Sequence, residues 1–157
     1  MTTGSVSVAA EITNRGANSL AKWLSRLFMG LPMLLLILIA SRYITNPTHA
    51  AAPTGVSLST PEALTDTRVV GALALTIVFA IAVCFFSSTR LRTGHAIVIA
   101  MMASILAVRM FAFAEDGTTL AMGDQKVKTI GEVVFLILNV IGLFLQTYLV
   151  KPTREQQ

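Results

Sequence analysis

Few ionisable or amide side chains fall inside the apolar stretches of this sequence, and those few are where chemistry could reside. Arg109 stands near the end of a run from Thr93 to Ala114 that is otherwise interrupted only by His95. Glu132 opens the next apolar run, and Asn139 and Gln146 follow it at seven-residue steps. On a helix, seven residues nearly complete two turns, with a drift of about 20° per step, so these three side chains form one polar stripe. An ionisable group in hydrocarbon costs several kcal/mol unless it is paired or wetted, so each such residue is a candidate site. A carboxylate there, Glu132 or Asp66, could move a proton, with Arg68 or Arg109 holding the negative charge that develops. The same groups, joined by Tyr43 and Asn139, could instead hold the polar head of a ligand. A third reading is purely architectural: ion pairs and interhelical amide hydrogen bonds that hold a bundle together.

The elements that must position these residues follow from composition. The chain is 54% hydrophobic and 13% charged, with mean hydropathy +0.72, which is more apolar than a soluble interior can absorb. Its apolar residues fall into four blocks: about 23–44, 68–88, 94–114 and 129–150. A hydrocarbon core of about 30 Å needs roughly 20 helical residues, so each block is long enough to cross it. Solid runs such as Met33 to Ala40 lack the alternation of a barrel strand. The expected fold is therefore all-α, a four-helix transmembrane bundle, preceded by a mobile N-terminal tail over 1–22 and followed by a short tail over 152–157. Gly30 and Pro32 should loosen or kink the first span. Thr60-Pro61-Glu62 is a helix start with Thr60 as N-cap, and a short surface helix is expected to lead from it into the second span. The loop from Ser87 to Gly94 is tight, which makes spans two and three antiparallel neighbours.

Four spans put both termini on one side, together with the loop between spans two and three. That side carries seven basic residues, Arg15, Lys22, Arg26, Arg90, Arg92, Lys151 and Arg154, against four on the other, Arg42, Arg68, Lys126 and Lys128. Excess Lys and Arg marks the cytoplasmic side, so both termini are expected there, in the inner (plasma) membrane of a cell. The net charge of +4 is then a topology signal, and nucleic acid is not an expected partner. A competing reading takes the first apolar run as a cleavable secretory signal. The long segment before the run, and Arg42 between the run and any cleavage site, fit that reading poorly.

Every span sends a polar group to the opposite, outer side: Arg42 and Tyr43, Asp66 and Arg68, Arg109, then Glu132. Span three runs outward and helical side chains lean towards their own N-terminus, so Arg109 is aimed into the membrane, where Glu132 of the next span could meet it. Cys84 is the lone cysteine, mid-span, which offers no disulfide and reads as packing. His49 and His95 lie on opposite sides and cannot share a metal, so neither metal nor cofactor is expected.

These residues carry a family resemblance. Tyr43 and Pro47 after span one, Asp66-Thr-Arg68-Val-Val-Gly71 opening span two, Arg109 followed by Glu115-Asp-Gly117 ending span three, and Glu132 opening span four form one pattern. In it the chain resembles a bacterial four-helix integral membrane family known only as a domain of unknown function, over roughly residues 27 to 150. Ala72 and Val108 depart from the family pattern, where glycines are common. The resemblance implies the topology and implies importance for Asp66, Arg68, Arg109 and Glu132, without implying a substrate.

The leading functional expectation is a binding or accessory subunit whose outer polar cluster holds a small anionic or amphipathic ligand, or a partner helix. Membrane lipids, a homo-oligomer or a larger membrane complex are its expected partners. The alternative is an intramembrane acid–base enzyme, an isomerase or cyclase acting on a lipophilic substrate. Unequal loop lengths argue against an inverted-repeat transporter, and one small bundle without a ring of charge makes a poor channel.

Overall fold

The computed structural model describes residues 3–52, 58–115 and 125–149, with side chains from Asn18 onward. All described elements are helical: α1 (Thr3–Thr45), a short α2 (Pro47–Ala51), α3 (Pro61–Phe86), α4 (Leu91–Glu115) and α5 (Gln125–Phe144), which continues as a π-turn over Leu145–Leu149. Four stretches, Asn18–Thr45, Pro61–Phe86, Leu91–Glu115 and Gln125–Leu149, are long and apolar enough to cross a membrane. Each begins a few residues before the block read from the sequence, because helix can continue through the polar interface, while the second ends at Phe86, short of the expected 88. The backbone of α1 is helical from Thr3, so most of the segment expected as an N-terminal tail is continuous with the first span.

Local signals account for the helix ends. Thr60 accepts a hydrogen bond from the backbone N–H of Ala63 at 3.2 Å, with Pro61 in the first turn where its missing N–H costs nothing. α3 then runs unbroken from Pro61 into the second span, so the helix that Thr60 starts is the span itself and not a separate surface helix. Asn46 caps α2 in the same manner, accepting from the His49 N–H at 3.3 Å. Between α3 and α4 the chain reverses in four residues. Ser87 N–H bonds back to Cys84 O, and the Ser87 and Thr89 hydroxyls meet at 3.0 Å.

The four long helices occupy the corners of a square, with α1 against α3 and α5, and α4 against α3 and α5. α3 and α5 are diagonal, with no close backbone approach between them among the described residues. The core is small: Met29, Ile81, Cys84, Leu91, Val98 and Met102, with Met33, Ile77, Phe85 and Phe135 packed around it. Most large apolar side chains point outward, among them Phe79, Phe86, Phe111 and Leu73. In water such a surface would aggregate, whereas in lipid it is the solvated face, so the chain is a multi-pass membrane protein.

Where apolar burial gives no net drive, helices associate through close packing and polar contacts. Two glycines show the first. A Cβ on Gly71 would come within 3.0 Å of Ala40 O and Tyr43 Cβ, so α1 and α3 approach there backbone to side chain. A Cβ on Gly94 would meet the Met29 thioether at 2.7 Å and Cys84 Cβ at 2.8 Å. Cys84 is thus buried packing at this crossing.

Candidate functional site

Two polar clusters lie between the helices, one near each end of the bundle. At the end of the bundle where α4 stops and α5 starts, Arg109 of α4 meets α5. Its Nε donates to Glu132 Oε2 at 2.8 Å and its Nη2 donates to Glu132 Oε1, a bidentate pair, while Nη1 donates to Gln125 Oε1. Gln125 and Glu132 are seven residues apart, two turns along one face, so a single guanidinium bridges both. Both members of the ion pair are 17% exposed at the side chain, enough shelter for the pairing to matter. Beside the pair, Ser104, Ile105, Val108, Arg109, Ala112 and Phe113 of α4 join Gln125 in lining a cleft of about 500 Å³. Its walls are apolar and its head is the Arg109–Gln125 contact.

The other residues expected on the outer side remain apart from this pair. Asp66 and Arg68 are exposed on α3, Arg42 is exposed and Tyr43 half-buried on α1, and no described hydrogen bond or ion pair joins any of them to Arg109 or Glu132. Ala72 and Val108, where the resemblance leads one to expect glycine, both point outward, Val108 into the cleft. Neither sits at a helix crossing. The loop between α4 and α5, with Asp116, Gly117 and Asp124, lies outside the described residues.

The second cluster is fully enclosed and joins three helices. Ser25 of α1, His95 of α4 and Asn139 of α5 are each 0% exposed. Ser25 Oγ lies 2.6 Å from His95 Nε2, and His95 Nδ1 lies 2.9 Å from Asn139 Oδ1. The roles within this chain can be worked out. Asn139 Nδ2 donates to two carbonyls, Phe28 O at 3.2 Å and Phe135 O at 2.9 Å, which turns Oδ1 towards the imidazole. His95 Nδ1 must therefore donate, and in the neutral ring Nε2 then accepts from the Ser25 hydroxyl. Phe28 O is available because residue 32, four along, is proline and has no N–H to offer it. Pro32 thus creates the acceptor that Asn139 fills.

Gly142, one turn beyond Asn139, makes room for the ring. A Cβ there would lie 2.3 Å from His95 Cε1 and 2.7 Å from Nε2. Further along the same face, Gln146 is 4% exposed, and Arg92 donates to its backbone carbonyl from Nε at 3.1 Å and Nη2 at 2.8 Å. The polar stripe from Glu132 through Asn139 to Gln146 does face the interior, but it serves two clusters rather than one pocket.

Ser25, His95 and Asn139 have the connectivity of a hydroxyl, a base and an orienting group. Their enclosure makes the chain a staple across three helices, since a substrate would have to displace helix contacts to reach the hydroxyl. Sequence reasoning passed over it. The available signal was a histidine and an asparagine inside otherwise apolar spans, the same criterion that picks out Arg109. Among the described residues no group of three His, Cys, Asp or Glu side chains could hold a metal ion.

Fold and clusters together define a four-helix membrane protein with polar contacts buried between its spans. Residues 24–143 match the family model described as Domain of unknown function (DUF4345), and the chain belongs to that family. No curated protein and no solved structure matches the chain significantly.

Proposed function

We propose that this protein is a binding or accessory protein of the inner membrane, with both termini cytoplasmic, that holds one amphipathic molecule in the cleft along α4. The cleft itself carries this reading: about 500 Å³ is the size of a small-ligand site, and apolar walls ending at a few fixed polar groups are its usual composition. The head of the cleft also narrows the ligand. Arg109 is neutralised by Glu132 on two of its nitrogens, so the site offers spare N–H donors from Arg109 and Gln125 without net charge. A neutral carbonyl or hydroxyl head on a lipophilic body suits it better than an anion. The same pairing weighs against proton transfer by Glu132, because both carboxylate oxygens are occupied and the pair would have to open first.

Mass spectrometry of lipophilic molecules retained by the purified protein tests this, comparing wild type with Ala112→Trp, which fills the cleft. A non-phospholipid molecule held by wild type and lost in the variant is the expected result. Bulk phospholipid alone in both preparations would remove the binding reading. Chemical conversion of the retained molecule on incubation would transfer the site to the alternative, an acid–base enzyme.

A further inference from the structure

Among the residues whose side chains are described, the end of the bundle opposite the cleft carries unbalanced charge and unused donors. Lys22, Arg26, Arg90 and Arg92 gather where α1 passes the α3–α4 turn, whereas the carboxylates whose side chains are described, Glu62, Asp66, Glu115 and Glu132, lie towards the other end. What the arginines touch here is neutral. Arg26 Nη2 donates to Ser88 Oγ at 3.3 Å, and Arg92 donates to the Gln146 carbonyl. Two buried polar atoms at this end have no hydrogen-bond partner among the described residues, Arg26 Nε and Gln146 Nε2. Both are donors only. Leaving a buried donor unmet is costly, and charge left over beside it selects for an anion as the missing acceptor. The flanking surface is apolar and outward-facing, with Leu20, Trp23, Leu27 and Phe86 between 54% and 78% exposed. Trp23 on such a surface is an interfacial anchor, which places the basic cluster at headgroup level.

We propose that this end of the bundle binds the phosphate of an anionic phospholipid, with Arg26 and Arg92 as its cationic partners and Gln146 Nε2 as a third donor. The acyl chains lie along the exposed apolar flank of α1. The site is independent of the α4 cleft, so either assignment can fail without the other. It differs from general attraction of basic residues to an anionic leaflet, because a neutral, buried amide takes part.

The test is thermal unfolding of the full chain in lipid nanodiscs of phosphatidylcholine, with and without phosphatidylglycerol. Wild type should gain several degrees in Tm from phosphatidylglycerol, and so should Lys126→Gln, a charge removed from the opposite end. Arg26→Gln should lose most of that gain. Gln146→Leu is the discriminating variant. If its amide meets the phosphate, the gain from phosphatidylglycerol shrinks. If the amide is only an orphan, Tm rises equally in both lipids with the gain unchanged, which overturns the site. Equal stabilisation by inorganic phosphate in phosphatidylcholine discs would overturn the lipid assignment. Should Arg26→Gln fail to fold, counting phosphatidylglycerol molecules retained by wild type and Gln146→Leu in native mass spectrometry decides the same question. Equal retention counts against the proposal.

Discussion

Arg109 holds two partners with one planar group, and the geometry explains why arginine rather than lysine stands there. Its fork matches both oxygens of Glu132 while the remaining nitrogen reaches Gln125, whereas an ammonium would meet one acceptor well and the others poorly. Removing either member leaves the other charge in a poor solvent. Arg109→Met and Glu132→Gln should each destabilise by about 3 kcal/mol, the lower end of what breaking a sheltered pair costs. The double variant should cost less than the sum by about 1 to 2 kcal/mol, read from thermal unfolding in detergent as a double-mutant cycle. Strictly additive losses would show that the pair contributes no coupling. Asp66 and Arg68 lie apart from this pair, so Asp66→Asn should leave the cycle's coupling energy unchanged.

At the scale of the element, the first and last spans are fitted to each other through a missing hydrogen bond. Pro32 leaves Phe28 O without its helical donor, and Asn139 supplies one across the interface while also orienting His95. Replacing Asn139 by leucine leaves a carbonyl and an imidazole N–H unmet, at about 1 to 3 kcal/mol for buried groups. In a Pro32→Ala background residue 32 can donate to Phe28 O within the helix. Asn139→Leu should then cost about 1 kcal/mol less than it does in wild type, measured by the same unfolding assay. Equal costs in the two backgrounds would mean that Phe28 O does not depend on Asn139. The close fit of Gly142 to the His95 ring belongs to the same device, since it brings α5 near enough for Asn139 to reach both partners.

The whole molecule is a bundle turned outside in, with large apolar side chains facing lipid and a modest core between the helices. Its two interhelical polar clusters connect different corners: the half-buried Arg109 joins α4 to α5 at one end, and the buried Ser25, His95 and Asn139 join α1, α4 and α5 towards the other. α3 enters neither cluster and is held mainly by close packing on α1 at Gly71. Orientation in the membrane is a property of the whole chain, and the seven-to-four bias of basic residues sets the expectation. A reporter active only outside the cytoplasm should be silent when fused after Lys151 and active when inserted near Thr54. The opposite pattern would invert the protein and move the cleft to the cytoplasmic side.

The number of spans, their approximate limits, the Thr60 cap and the tight α3–α4 reversal are all legible in the sequence, because hydrophobic length, charge placement and capping chemistry are local properties. The spacing of Glu132, Asn139 and Gln146 also shows that one face of α5 is polar. Which helix meets that face at each level is not local. It depends on how far neighbouring helices can approach, and Gly71, Gly94 and Gly142 decide that by what they omit. The sequence therefore presents Arg109 and Glu132 as two charges that could meet, and it scatters Ser25, His95, Asn139 and Pro32 over more than a hundred residues with no common motif. Only the tertiary structure separates Asp66 and Arg68 from the ion pair and closes the serine, histidine and asparagine into one chain, because hydrogen bonds between helices require rotation and depth to agree to within an ångström or so, and no periodicity in a single strand of text carries that information.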